Sequence, residues 1–158
     1  MGVFTFEDEN TSPVAPAILF KALALDADNI VPKIDNKVKS IENIGGHGEP
    51  GTIKKITAVE GGKEFYVKHQ IDAIDKDNFA YNYSVVEGLP LADYCEKISI
   101  ETKLVAAPNG GSIGKIKVKF FTKGDAPLNE EHAKTFKEKS DHFVKSVEAY
   151  LLANPGYN

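Results

Sequence analysis

A glycine-rich segment followed by two lysines is the first candidate for chemistry. Four glycines and a proline lie between Gly45 and Gly51, and Lys54 and Lys55 come shortly after. Such a loop could offer backbone N–H groups to a phosphate, but phosphate loops normally open a helix and contain lysine followed by serine or threonine. This segment connects two predicted strands, lacks that dipeptide and carries Glu49, which repels anions. We therefore interpret it as a rigid connection between strands that binds no phosphate tightly.

The second candidate is a group of polar aromatic residues, His69, Tyr81 and Tyr83. They share the inward phase of two neighbouring predicted strands, so their polar tips can converge. They form either a satisfied polar cluster with ordered water or an anchor for the polar edge of a planar ligand, and we favour the anchor. The residues expected to complete that site are Leu23, Val31, Ile56, Ile98, Ile100, Phe136, Ser140 and Phe143.

One carboxylate, Glu96, falls on the inward phase of its predicted strand. It is either a general acid or base or a structural acceptor for N–H groups of the glycine-rich loop, and we favour the structural role. Cys95 is the only cysteine, is predicted to face away from the ligand and forms no metal-binding pattern. We therefore expect no metal and no cofactor.

Composition narrows the class of partner. The 158 residues carry a net charge of −4, and all 19 basic residues are lysine, so there is no basic footprint for nucleic acid. The acidic start, MGVFTFEDEN, does not resemble a secretory signal, and no apolar run could span a membrane. We expect a cytoplasmic monomer with a single domain over residues 1–158, and no nucleic-acid or membrane partner.

The hydrophobic pattern predicts the elements that position these residues. Val3 to Glu9 is a half-buried strand, and two short helices follow it, the second capped by Asp26 and ending near Pro32. Strict alternation from Val38 to Phe121 predicts antiparallel strands with one wet face. Spacings of three and four from Asn129 to Asn154 predict one long helix with Asn129 as its N-cap.

Together these elements predict an α+β fold. A curved antiparallel sheet of about seven strands grips the long C-terminal helix, and the two short helices close one end. A long helix against a curved sheet tends to leave space between them, so we expect a large internal cavity with apolar walls and a few polar groups.

The chain resembles, over its whole length, the class-10 pathogenesis-related proteins of plants, the family of the major birch pollen allergen. The stretches that carry the resemblance are MGVFTFEDE, PGTIKKI, YNYSVVEG, EKIS, NGGSIGKIKV, FTKGD and YLLANPGYN. Its opening and ending are similar to legume members. The glycine-rich loop departs from the family pattern, because Gly45 replaces the usual glutamate and Glu49 replaces a glycine.

The resemblance implies a helix-grip fold and an intracellular role in plant defence and stress. It implies binding of small amphipathic metabolites, such as cytokinins and flavonoids, in an internal cavity, and a link to allergy. Some members are reported as ribonucleases, and the residues that this alternative would use here are Lys54, Glu96, Glu148 and Tyr150. We rank the weak ribonuclease second, because the loop is altered and the chain is acidic.

Overall fold

Seven antiparallel strands form one sheet in the computed structural model, which describes residues 1–157. Their order across the sheet is β1-β7-β6-β5-β4-β3-β2, so strands β2 to β7 form a meander and β1 pairs with the last of them. The strands are β1 Val3–Ser12, β2 Val38–Ile44, β3 Ile53–Glu60, β4 Lys63–Asp75, β5 Ala80–Gly88, β6 Cys95–Ala106 and β7 Ser112–Thr122. The predicted strand number and antiparallel pairing are confirmed.

Two short helices separate β1 from β2, as the sequence predicts. The first, α1 (Pro16–Phe20), continues as a π-helical turn through Leu25, and α2 covers Ala27–Ile34. Asp26 precedes α2, but its side chain accepts a hydrogen bond from the Asn29 amide and caps no backbone N–H, contrary to the prediction. Pro32 lies inside α2, so the helix extends two residues beyond the expected end.

The long helix α3 runs from Glu130 to Ala153. The side chain of Asn129 accepts from the backbone N–H of His132 over 3.1 Å, which confirms the predicted N-cap. Ala133, Val147 and Leu151 are its buried residues. Val147 and Leu151 pack with α1 and the π-helical turn, whereas Ala133 packs with β6 and β7. The helix therefore joins the two halves of the core.

The glycine-rich loop connects β2 to β3 and is held by its own residues. Gly48 and Gly51 have φ angles of 109° and 97°, which favour glycine. The backbone N–H of Gly48 donates to the Thr52 hydroxyl over 3.2 Å, and that of Gly51 donates to the carbonyl of Ile71 over 2.8 Å. Glu49 accepts from the His47 N–H over 3.0 Å. The predicted connection between strands is confirmed, and Thr52 and Glu49 serve as side-chain acceptors for it.

A bulge at the start of β6 overturns two sequence predictions. The pairing of β6 with β7 shifts between Cys95 and Lys97, so the strand gains one residue and its facing pattern reverses there. Cys95 is 2% exposed and packs in the core beside Ile98, whereas Glu96 is exposed. The predictions that Glu96 faces inward to bind the glycine-rich loop, and that Cys95 faces away, are therefore wrong.

Within residues 1–157, no helix is long and apolar enough to cross a membrane. The same part of the chain contains no group of three or more potential metal-ligating side chains that could hold an ion.

Candidate ligand-binding site

The predicted polar aromatic residues lie together on the inner face of the sheet. The rings of His69 and Tyr83 have centroids 4.9 Å apart, and those of Tyr83 and Tyr81 are stacked at 5.4 Å. Tyr83 and Tyr81 alternate along β5, and His69 comes from the adjacent strand β4. The strand pairing therefore produces a continuous row of three polar rings, as the alternation predicts.

Lys54 joins this row from β3. It lies directly opposite His69 in the β3–β4 pairing, and its ammonium group forms an ion pair with Asp28 of α2 at 2.8 Å. The Lys54 side chain is only 11% exposed, while that of Asp28 is 37% exposed. We name Asp28, Lys54, His69, Tyr81 and Tyr83 the inner polar cluster.

The three rings of this cluster are desolvated by burial. Burial, with a smaller contribution from Lys54, lowers the pKa of His69 to about 4, so the imidazole is neutral at pH 7. Burial raises the pKa of Tyr83 to about 12 and also raises that of Tyr81, whose phenol feels Tyr83 and the charges of Asp28 and Asp72. The three rings are therefore uncharged at physiological pH.

The polar atoms of the three rings are nevertheless not satisfied by protein. Among residues 1–157, no protein partner is within hydrogen-bonding distance of the two hydroxyls or of the His69 ring nitrogens. No completely covered side-chain nitrogen or oxygen in the same residues lacks a partner. These atoms therefore border space that water or a ligand can enter, although they lie deep enough to be desolvated.

A groove of about 470 Å³ opens between α3 and the strands β1 and β7. Its apolar wall is formed by Phe6, Val118 and Phe120 from the strands and by Phe136 from the helix. Asp8 and Lys137 also line it and form an ion pair at 3.2 Å. Of the predicted site residues, this β1–α3 groove contains Phe136 and Ser140.

Of the other predicted wall residues, four are half-buried and two are buried. Leu23 and Phe143 are half-buried against the core cluster that also contacts Tyr81. Val31 and Ile56 are half-buried as well. Ile98 is 0% exposed and Ile100 5%, so these two belong to the packed layer and present almost no surface to a ligand.

The four residues of the ribonuclease alternative are not in contact with one another. Lys54 is paired with Asp28, and Glu148 lies 3.4 Å from Lys145. The Tyr150 ring packs edge-on against Tyr157, and Glu96 is exposed beyond the bulge. Within residues 1–157, no hydrogen bond, ion pair or ring contact joins any two members of this set.

A larger, open groove of about 690 Å³ lies on the wet face of the sheet. It is lined mainly by charged residues of β1, β6 and β7, including Glu7, Glu101 and Lys117, and contains none of the predicted site residues. The ion pair between Glu7 and Lys117, at 3.5 Å, belongs to this solvated surface. The inner polar cluster is therefore a separate feature.

Two features of the site escaped the sequence reasoning. Lys54 is predicted only as a member of the ribonuclease set, although Lys54, Ile56 and Ala58 share one phase of β3 and the alternation places the lysine inside. Phe6, Val118 and Phe120 border an opening beside α3 that no pattern in the sequence indicates.

A curved antiparallel sheet around one long C-terminal helix, with two short helices between its first two strands, defines the helix-grip class. Residues 1–154 match the model of the Pathogenesis-related protein Bet v 1 family. The chain belongs to this family. It is 58% identical over 158 residues to the stress-induced protein SAM22 of Glycine max, covering 100% of both chains.

A further relative and a solved structure support the family assignment. The chain is 57% identical over 157 residues to the class 10 plant pathogenesis-related protein 2E of Lupinus luteus, covering 99% of this chain and 100% of the relative. The crystal structure of Ara h 8.0201 superposes with a TM-score of 0.90 at 50% identity, covering 97% of this chain and 100% of that one. The chain is thus similar over its whole length to class 10 pathogenesis-related proteins of legumes.

Proposed function

We propose that this defence-related protein binds small amphipathic plant metabolites between the curved sheet and α3. The ligand's apolar body contacts Leu23, Val31, Ile56, Phe136 and Phe143, and its polar edge meets the inner polar cluster. Cytokinins and flavonoids have the required shape, a planar ring system with polar groups at one edge. We propose a cytoplasmic location, which the single unpaired cysteine supports.

The observation that carries this proposal is the row of three rings without protein partners. A buried polar group without a hydrogen bond costs about 1–3 kcal/mol. His69, Tyr81 and Tyr83 all border accessible space and all have pKa values shifted by desolvation. A ligand that offers donors and acceptors there satisfies these groups while burying its own apolar surface.

The test is a binding titration with a neutral, environment-sensitive dye, N-phenyl-1-naphthylamine, followed by displacement with a cytokinin and a flavonoid. We expect micromolar affinity, which corresponds to about 8 kcal/mol. Tyr83→Phe removes one hydroxyl and keeps the ring, so it should weaken the hydrogen-bonding ligands several-fold and leave dye binding nearly unchanged.

Tyr66→Phe is the matched control, because Tyr66 is exposed and its hydroxyl bonds to Glu87. It should change neither titration. Equal losses of dye and ligand in Tyr83→Phe would make the Tyr83 hydroxyl a structural group. Absence of dye binding together with a crystal structure showing a filled core would contradict the proposal. We add no second function, because no observation favours the ribonuclease set.

A further inference from the structure

The ammonium group of Lys54 has more hydrogen-bond donors than it has protein partners. An ammonium group has three N–H donors. Among residues 1–157, the only hydrogen-bond partner of Lys54 is Oδ1 of Asp28, at 2.8 Å. With its side chain 11% exposed, Lys54 has little contact with bulk water that could satisfy the remaining donors.

The position of Lys54 directs these donors towards the proposed ligand. Lys54 is opposite His69 across the β3–β4 pairing, and the centroids of the His69 and Tyr83 rings are 4.9 Å apart. The charge of Lys54 also disfavours protonation of His69, so its positive field acts at the His69 end of the row. Asp28 therefore does not cancel the lysine charge at this point.

Asp28 is the more exposed partner of the ion pair. Its side chain is 37% exposed and lies in the first turn of α2, so its carboxylate has access to solvent. Lys54 is the more buried partner, and its backbone belongs to β3. A second carboxylate near Lys54 would be attracted by the ammonium and repelled by Asp28.

We propose that the inner site selects ligands with a carboxylate, bound by the Lys54 ammonium beside His69, over neutral ligands of the same shape. This inference rests on the proposed ligand-binding function and deepens it. Lys54 is the specificity-determining residue, and Asp28 opposes the incoming anion. The ligand class is a planar aromatic or polycyclic carboxylic acid.

The test compares two matched probes, 2-naphthoate and 2-naphthamide, by isothermal titration calorimetry at pH 7. A carboxylate accepting from an ammonium forms a charge-assisted hydrogen bond, so wild-type protein should bind naphthoate about tenfold more tightly than naphthamide. Lys54→Met keeps the length of the side chain and removes its charge. This variant should lose the preference and bind naphthoate no more tightly than naphthamide, because Asp28 still repels the carboxylate.

Two further variants complete the design. Lys55→Met is the matched control, because the Lys55 ammonium lies over the ring of exposed Tyr66, 5.0 Å from its centroid, and this substitution should change neither affinity. Asp28→Asn removes the competing anion and should raise naphthoate affinity with no change for naphthamide. It also tests the inference if Lys54→Met fails to fold.

Each outcome bears on a different claim. Equal affinity of the wild type for the two probes, or equal weakening of both in Lys54→Met, would overturn the anion preference and leave the binding function intact. Weaker naphthoate binding by Asp28→Asn would also overturn it. Failure of both probes and of the neutral dye to bind would instead overturn the proposed function, and the inference with it.

Discussion

The hydroxyl of Tyr157 donates a hydrogen bond to Oδ2 of Asp26 over 2.9 Å, which ties the end of the chain to the junction before α2. Tyr157→Phe removes this bond and keeps the ring contact with Tyr150. We expect the free energy of unfolding to fall by about 1 kcal/mol, measured by urea denaturation at pH 7. An unchanged midpoint would show that the bond does not stabilise the fold.

The same bond gives a direction for the pH dependence. Hydrogen bonds from Asn29 and Tyr157 lower the pKa of Asp26 below its ordinary 3.8. A carboxyl group with a lowered pKa stabilises the fold above its unfolded pKa, and this contribution is lost as the pH falls through the folded value. The difference between wild type and Tyr157→Phe should therefore shrink on acidification below about pH 4.

His69 predicts a second pH effect, with a different window. Its pKa is about 6.5 when exposed and about 4 in the fold, so the unfolded chain takes up a proton first as the pH falls. Stability should be fully present above pH 6.5 and should decrease between pH 6.5 and 4, by up to about 3 kcal/mol. His69→Asn should lack this decrease. NMR titration checks it directly, and a His69 signal titrating near pH 6.5 would contradict the account.

The glycine-rich loop should depend on Thr52. Thr52 is buried, and its hydroxyl accepts from the N–H of Gly48. Thr52→Val removes the acceptor at nearly constant shape, so we expect about 1 kcal/mol lower stability and faster amide exchange at Gly48. Thr52→Ser keeps the acceptor and should preserve slow exchange. Glu96→Ala should have no effect on the loop. Faster amide exchange in that variant would show that Glu96 does hold the loop, despite its exposed position after the bulge.

Ribonuclease activity should be negligible. Highly purified protein should cleave little RNA, because Glu148 pairs with Lys145 and no hydrogen bond, ion pair or ring contact within residues 1–157 joins it to the other three candidate residues. Any trace of cleavage should be the same in Glu148→Ala. A strong activity that co-purifies with the protein and collapses in Glu148→Ala or Lys54→Ala would reverse the ranking of the two functions.

Much of the architecture can be predicted from the sequence, because strands and helices have different hydrophobic periods. The alternation in β7, with Ile116, Val118 and Phe120 inward and lysines between them, specifies a sheet with one wet face. The spacing of three and four that specifies α3 runs through Phe136, Ser140, Phe143, Val147 and Leu151. Asn129 marks its start, because an amide oxygen there accepts from an unpaired N–H.

The misses have physical causes too. A β-bulge at Glu96 adds one residue and reverses the facing pattern, and no residue type in CEK signals it. The pairing of Lys54 with Asp28 depends on where the fold places α2 relative to β3, because the two residues are 26 positions apart in sequence. Alternation brings Lys54 inside, but only the tertiary structure supplies its counter-charge and shows which donors remain unused.

The most direct test of the central claim is an NMR titration of the ring signals of tyrosine and histidine with a flavonoid. A ligand bound between the sheet and α3 should shift the signals of His69, Tyr81 and Tyr83, and the exposed Tyr66 should stay unchanged. Saturation of these three shifts with one common dissociation constant is the predicted result. Shifts confined to Tyr66 and other residues of the wet face, with the three inner rings unmoved, would contradict the account.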